Sequence, residues 1–296
     1  MKIGLIGLGR MGQAIADRLL KDKHEVIGYD PAIQEVPENL RLTQNIKEII
    51  DNKPDAIWLM VPAGKIVDNV IDDLLKNNLP ENSVIIDGGN SYYKNTIKRQ
   101  DKLKAQNIYY LDCGTSGGLL GKEIGFSLMI GGEKNIFEKL EPVFKSIAAP
   151  NGYGYMGPSG SGHYVKMIHN GIEYSLLQAY AEGFDLLKNN TQYKKLDLEN
   201  ITRVWQHGSV VRSWILDLSH DIFAQDQELK EISGEIGENL TGQWTIQESK
   251  DQNIAMDLLD KSLQIRAWSR ETGGNYATKV IAMLRNAFGG HKFEKK

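Results

Sequence analysis

Cysteine is almost missing: Cys113 is the single thiol among 296 residues. No disulfide can close within the chain, which excludes a disulfide-stapled scaffold and fits a reducing, cytoplasmic compartment. Long apolar runs are missing too, and nothing approaches the stretch of about 18 apolar residues that a membrane-spanning helix needs. The opening MKIGLIGLGRMG is apolar but broken by glycine and lacks a small-residue cleavage site, so it reads as a strand and turn, not a signal peptide. Charge of one sign is not in excess. Lys and Arg number 35 against 38 Asp and Glu, a net charge of −3, so no global field draws nucleic acid or an anionic membrane. An anionic ligand would need a local basic pocket. Neither an internal repeat nor a low-complexity tract occurs.

What is present is an ordinary globular composition, 41% hydrophobic and 25% charged, in a chain long enough for two domains. Short apolar runs at 2–6, 25–29, 56–61, 83–86 and 108–112 alternate with helical periodicity at 11–20, 66–75 and 95–106. That alternation predicts an α/β fold, a doubly wound parallel sheet of Rossmann type with helices on both faces. A Gly/Pro-rich stretch over 150–162 changes the texture, and beyond it the pattern is helical with no strand alternation. The reading is therefore a dinucleotide-binding domain over 1–160 and an all-α domain over 161–296.

Gly7, Gly9 and Gly12, with Arg10 and Met11 between them, form a GxGxxG turn directly after a strand and opening a helix. The chemistry asks for glycine at each place: for a tight turn, for backbone approach to a pyrophosphate, and for close helix packing. The helix N-terminus then offers free N–H groups to the phosphates. Asp30 ends the second strand, where a carboxylate accepts from a ribose hydroxyl and repels a 2′-phosphate, so the cofactor read here is NAD. Two further strand ends, Val61-Pro62-Ala63-Gly64 and the loop from Asp87 to Ser91 with Asn90 in it, face the same crevice of such a fold. Ser116, Gly117 and Gly118 follow the next strand and suit a carboxylate or a sugar hydroxyl.

The segment 160–174 reads as a helix on which Lys166, His169, Asn170 and Glu173 share an arc of about 100°. Val165, Met167, Ile168, Ile172, Leu176 and Leu177 make the rest of its surface apolar, which predicts a largely buried helix with one polar stripe. Buried polar groups need partners or a ligand.

These segments resemble the 6-phosphogluconate dehydrogenases, within the wider β-hydroxyacid dehydrogenase family. The likeness rests on GLGRMG (7–12), LMVPAG (59–64), IIDGGNS (85–91), TSGG (115–118), GHYVKMIHNGIEY (162–174), GQWT (242–245) and RNAFGGH (285–291). The resemblance implies that Asn90, Ser116, Gly117, Gly118, His169 and Asn170 hold the sugar acid. It makes Lys166 the general base and Glu173 the general acid, and gives the phosphate to Tyr174, Thr245 and Arg266. Arg285 and His291 become tail residues that reach a partner's site in a homodimer or homotetramer. The expected reaction is oxidation and decarboxylation of 6-phosphogluconate to ribulose 5-phosphate, CO2 and NADH, as in the pentose phosphate pathway and gluconate use, with no metal. The family often has lysine where this chain has Gln243, one cation fewer for a phosphate. Read without the resemblance, Thr245-Ile246-Gln247-Glu248 is a capping-box pattern that predicts a helix start. The closing residues 291–296 read as a short exposed basic tail. Two alternatives stay open: a β-hydroxyacid dehydrogenase of an unphosphorylated sugar acid, and a non-catalytic dinucleotide-binding sensor.

Overall fold

The computed structural model describes residues 1–33, 35–37 and 39–294. It divides into two compact units, Met1–Met167 and Ile168–Lys296, the division falling within one long helix.

The first unit is built on β1 (Lys2–Ile6), α1 (Arg10–Lys21), β2 (Glu25–Tyr29), β3 (Arg41–Leu42), α2 (Ile46–Asp51) and β4 (Ala56–Leu59). It continues through α3 (Lys65–Lys76), β5 (Val84–Asp87), α4 (Tyr93–Lys104), β6 (Tyr109–Ser116) and α5 (Gly121–Ile124). It ends with β7 (Phe126–Gly131), α6 (Lys134–Ile147), β8 (Ala148–Gly157) and the start of α7 (Ser161–Lys188). The sheet order is β3-β2-β1-β4-β5-β6-β7-β8, parallel throughout except for the antiparallel β6–β7 pair. The chain runs outward from β1 to β3 and then restarts at β4 on the other side of β1. This reversal opens a crevice at the carboxyl ends of β1 and β4.

Side-chain alternation fixes both faces of the sheet. Ile3, Leu5, Ala56, Trp58, Val84 and Ile86 point to a core shared with α1 and α6, while Ile6, Ile57, Leu59 and Ile85 point to a core shared with α2, α3 and α4. Such continuous apolar strands are what a sheet covered on both faces requires.

The second unit carries the rest of α7 and then α8 (Leu198–Trp205), α9 (Trp214–Gln225), α10 (Leu240–Asp251), α11 (Asp257–Thr272) and α12 (Tyr276–Gly289). Its core joins Leu177, Ala181 and Phe184 of α7 to Leu216, Ile222 and Phe223 of α9 and to Val280, Ile281 and Leu284 of α12. The α/β unit followed by helices is the predicted fold class. Among the described residues no helix is long and apolar enough to cross a membrane.

Four local readings change. Residues 150–157, read as a break in texture, form most of β8. Strand β8 sits at the sheet edge with irregular register against β7, and Asn151 there has φ of 60°. An edge strand tolerates Pro150 and glycine, which hides it from a propensity reading. Thr245 starts no helix, because α10 begins at Leu240 with the Asn239 side chain accepting from the Thr241 amide. Thr245 is wholly buried inside α10, and its hydroxyl donates to the Thr241 carbonyl at 3.0 Å. Helix α7 is not apolar-buried all round: Ile172 is 53% exposed and Leu176 44%. At the chain end His291 and Lys292 are exposed, but Phe293 packs onto the helical core. Lys295 and Lys296 of the expected tail lie outside the described residues.

Candidate active site

The glycine turn and its neighbours meet at the reversal point of the sheet. Gly7 has φ of 95°, and a Cβ there would fall 2.5 Å from the Met60 carbonyl and 3.0 Å from Val61 Cγ1. Only glycine lets the turn lie against the β4 loop. At Gly12 a Cβ would come within 2.1 Å of the Gly7 carbonyl, so α1 is pressed onto the turn it follows. Gly9 differs: it caps α1, and a Cβ there would meet no atom within 4 Å. The space over this helix N-terminus is open, beside the exposed Arg10 and half-buried Met11. Asp30 is held at the same place, its Oδ2 accepting from the Leu8 amide at 2.7 Å and its Oδ1 from the Ala32 amide at 2.8 Å. Each oxygen keeps a second lone pair for a ribose hydroxyl. An open glycine cradle, a helix N-terminus and a fixed carboxylate fit a dinucleotide.

The β4 and β5 loops form one rim. A Cβ on Gly89 would lie 3.0 Å from the Val61 carbonyl, while Pro62, Ala63 and Asn90 are exposed on that rim. Arg99, unassigned in the sequence, ties the rim from beneath. Its Nε donates to Asp68 Oδ1 at 2.7 Å and its Nη2 to the Gly64 carbonyl at 3.0 Å. Its Nη1 lies 3.4 Å from Ser91 Oγ and 3.6 Å from the buried carboxylate of Asp87.

Beyond β6 the backbone takes conformations that suit glycine, with φ of 136° at Gly117 and 54° at Gly118. Ser116 closes the strand just before them, opposite Ser127. Lys166, buried on the second turn of α7, comes down on this strand: a Cβ on Gly114 would be 2.4 Å from Lys166 Cβ. His163 carries no role in the sequence reading. It is buried, with Nδ1 at 2.7 Å from Thr96 Oγ1 and Nε2 at 3.1 Å from the Asp87 carbonyl.

In the second unit the remaining candidates form an electropositive cluster. His169 Nδ1 lies 3.1 Å from Asn170 Oδ1 and 4.0 Å from Glu173 Oε2, one helical turn on. Tyr174 is buried beside them, its hydroxyl donating to Asn239 and its ring lying 3.7 Å under the Arg266 guanidinium. Thr245 packs its methyl toward Gly171, so its contribution comes from inside α10 and not from a helix end. Arg266 is only 3% exposed, and its Nε and Nη2 have no hydrogen-bond partner among the described residues. Burial pulls its guanidinium down to about 10, with Arg285 pushing the same way and Tyr174 and Glu173 opposing. Burial likewise lowers Arg285 and raises the Tyr174 hydroxyl. A buried cation with unspent donors is a receptor for an anion. Gln243 is not part of that receptor; its side chain donates to Glu238, which also pairs with Arg270. His291 is exposed and folded back on its own helix, its carbonyl accepting from Asn286 Nδ2 at 2.9 Å and its ring edge-on to Phe288.

Comparison with known proteins assigns the family. Residues 2–160 match the NAD binding domain of 6-phosphogluconate dehydrogenase, and residues 162–296 match the C-terminal domain of 6-phosphogluconate dehydrogenase. A Haloferax volcanii protein named NAD(+)-dependent, decarboxylating 6-phosphogluconate dehydrogenase is 41% identical over 304 residues, covering 100% of this chain and 99% of that one. YqeC of Bacillus subtilis is 44% identical over 302 residues, with 100% of each chain covered. A solved Plasmodium falciparum 6-phosphogluconate dehydrogenase, described in apo form and with NADP+ and 6-phosphogluconate, superposes with a TM-score of 0.82 at 29% identity. That match covers 91% of this chain but 62% of the Plasmodium one, which is the longer protein. With the glycine turn, the lysine helix and the buried arginines all in place, the chain belongs to the 6-phosphogluconate dehydrogenase family.

Proposed function

We propose that this dehydrogenase oxidises and decarboxylates 6-phosphogluconate to ribulose 5-phosphate and CO2 with NAD as acceptor, in the cytoplasm and within the pentose phosphate pathway. The observation that carries the substrate is Arg266, a buried cation stacked on Tyr174 with two nitrogens unpaired. A phosphate dianion supplies the acceptors this guanidinium lacks. Tyr174 and Thr245 complete the phosphate contacts when their hydroxyls turn from Asn239 and the Thr241 carbonyl to the ligand. Asn90, Ser116, Gly117, Gly118, His169 and Asn170 hold the hydroxyls and carboxylate of the sugar acid. The working division is a cofactor domain over 1–160 and a substrate and dimerisation domain over 161–296.

Bound at Gly7, Gly9, Arg10, Met11, Gly12, Asp30, Val61, Pro62, Ala63 and Asn90, NAD supplies a hydride acceptor. Asp30 favours it over NADP, because a carboxylate held at the turn repels a 2′-phosphate. Lys166, arriving neutral, takes the proton of the C3 hydroxyl as the C3 hydrogen leaves with its electron pair. The resulting 3-keto acid then breaks its C1–C2 bond and releases CO2, while Lys166 returns its proton to the C3 oxygen. The new enediol takes a proton on carbon from Glu173 and gives its hydroxyl proton back to Lys166, forming the ketose. Lysine and glutamate stand two turns apart on one helix, so each reaches a different carbon. The working unit is a homodimer or homotetramer. Exposed Ile172, Leu176 and Leu186 along α7 supply an apolar stripe for a partner. His291 of the tail acts at the partner's site, whereas Arg285, buried near Tyr174 and Glu173 of its own chain, serves its own.

The test is NADH formation with trapped CO2. One observation favours a second reading, an unphosphorylated sugar acid: Gln243 stands where a lysine is usual and is spent on Glu238. Thermal shift with gluconate against 6-phosphogluconate separates the two. Stabilisation by 6-phosphogluconate alone supports the phosphate; equal stabilisation supports the second reading.

A further inference from the structure

Helix α7 begins on bare backbone. A Cβ on Gly131 would lie 2.7 Å from the Gly162 amide nitrogen, and one on Gly162 would lie 2.3 Å from the Met129 carbonyl and 2.8 Å from the Asp112 carbonyl. With Gly114 under Lys166 Cβ, three glycines let the first turns of α7 touch strands β6 and β7 directly. One carboxylate reaches into this junction. Asp112 is fully buried; its Oδ1 accepts from the Gly160 amide at 2.7 Å and its Oδ2 from the His163 amide at 2.8 Å. Amides at a helix start have no partner inside the helix, and a carboxylate there also meets the positive end of the helix dipole. Asp112 therefore caps α7 from a strand, 48 and 51 residues before the two amides it accepts from.

We infer that Asp112 is a positioning residue for Lys166, setting the height and rotation of the lysine helix against strand β6. This rests on the reading of Lys166 as the base. Asp112 stands two residues before Gly114 and four before Ser116, so one anchor sets both the lysine and the loop that holds the sugar acid. His163 adds the third tie, because its ring bridges Thr96 and the Asp87 carbonyl at the base of the Asn90 loop. A helix seated this closely cannot slide without unmaking a bond of Asp112. Misplacing a proton-transfer group by about 1 Å costs on the order of a hundredfold in rate.

The experiment compares the natural protein with Asp112→Asn and Gly114→Ala. The first change keeps one acceptor oxygen and turns an NH2 group against the other amide; the second pushes Lys166 from the strand side. Both should lower kcat for 6-phosphogluconate on the order of tenfold to a hundredfold, with KM moving much less. The Kd for NAD, set at β1 and β2, should stay within about twofold. A readout that needs no turnover is labelling of Lys166 by an amine-reactive reagent, followed by mass spectrometry. The lysine is only 7% exposed, and labelling should speed severalfold in both variants. Unchanged kcat and unchanged labelling would overturn the inference. So would a loss of kcat matched by equal losses of NAD affinity and Tm, the mark of a structural role alone. If the natural protein fails to turn over 6-phosphogluconate, the functional reading falls, and the labelling comparison still judges the anchor.

Discussion

Arg99 of the sheet unit and Arg266 of the helical unit are both buried, and they are treated in opposite ways. Arg99, in the sheet unit, spends its guanidinium on Asp68, the Gly64 carbonyl and Ser91, with Asp87 close by. Burial pulls its pKa down, but the Asp68 hydrogen bond and the charges around it outweigh that and hold it above the ordinary value. Arg266, in the helical unit, is as deeply buried and keeps two nitrogens unpaired, and its pKa falls to about 10. A satisfied buried cation belongs to the scaffold, whereas an unsatisfied one marks where a ligand goes. Lys166 is another buried basic side chain, and the proposed reaction uses it as the base.

Substitutions can break this three-way comparison. The largest effect is expected at Lys166: Lys166→Met should cut kcat roughly a hundredfold to ten-thousandfold while NAD affinity holds, measured by steady-state kinetics and calorimetry. Arg99→Met comes next and should act on stability. It leaves Asp87 buried with its cation gone, which costs about 3–5 kcal/mol in denaturant unfolding. Enzyme that remains folded should lose far less activity than the Lys166 variant.

Arg266→Met should do the reverse of Arg99→Met. Loss of a buried pairing cation should lower kcat/KM for 6-phosphogluconate by about 2–5 kcal/mol of transition-state binding. Tm should hold or rise, because an unpaired buried charge is gone. The linkage has a definite sign. Arg266 has a folded pKa depressed to about 10, so its charged form opposes folding at neutral pH, and the opposition relaxes only as pH climbs through about 10. An anion that pairs with it removes that cost without any pH change. Inorganic phosphate should therefore raise the Tm of the natural protein, by about 2.7 kcal/mol of stabilisation at a hundred times its Kd, and should not raise that of Arg266→Met. The smallest expected effect is at Asp30, where Asp30→Ala should shrink the NAD-over-NADP preference in kcat/KM by about tenfold, or 1.4 kcal/mol.

Much of this was legible in the sequence because its signals are local. GxGxxG after an apolar strand, Asp30 at the next strand end and the polar stripe of α7 each depend on a few neighbouring residues, and the fold class follows from their alternation. Long-range features were not legible. Strand β8 is an edge strand whose glycines and proline suppress its propensity, and the Asn239 cap of α10 is itself held by the Tyr174 hydroxyl of α7, 65 residues earlier. Arg99 carried no signal beyond its charge. Asp112 did carry one: an acid at the end of the apolar run Tyr-Tyr-Leu, beside Cys113, needs a buried partner, but only the fold shows that the partner is the start of α7.

The most direct measurement is a coupled assay with NAD and 6-phosphogluconate, following NADH by absorbance and trapping CO2 in the same vessel. The account predicts one CO2 for each NADH, with gluconate a poor substitute. NADH without CO2, or equal rates with gluconate, would contradict it.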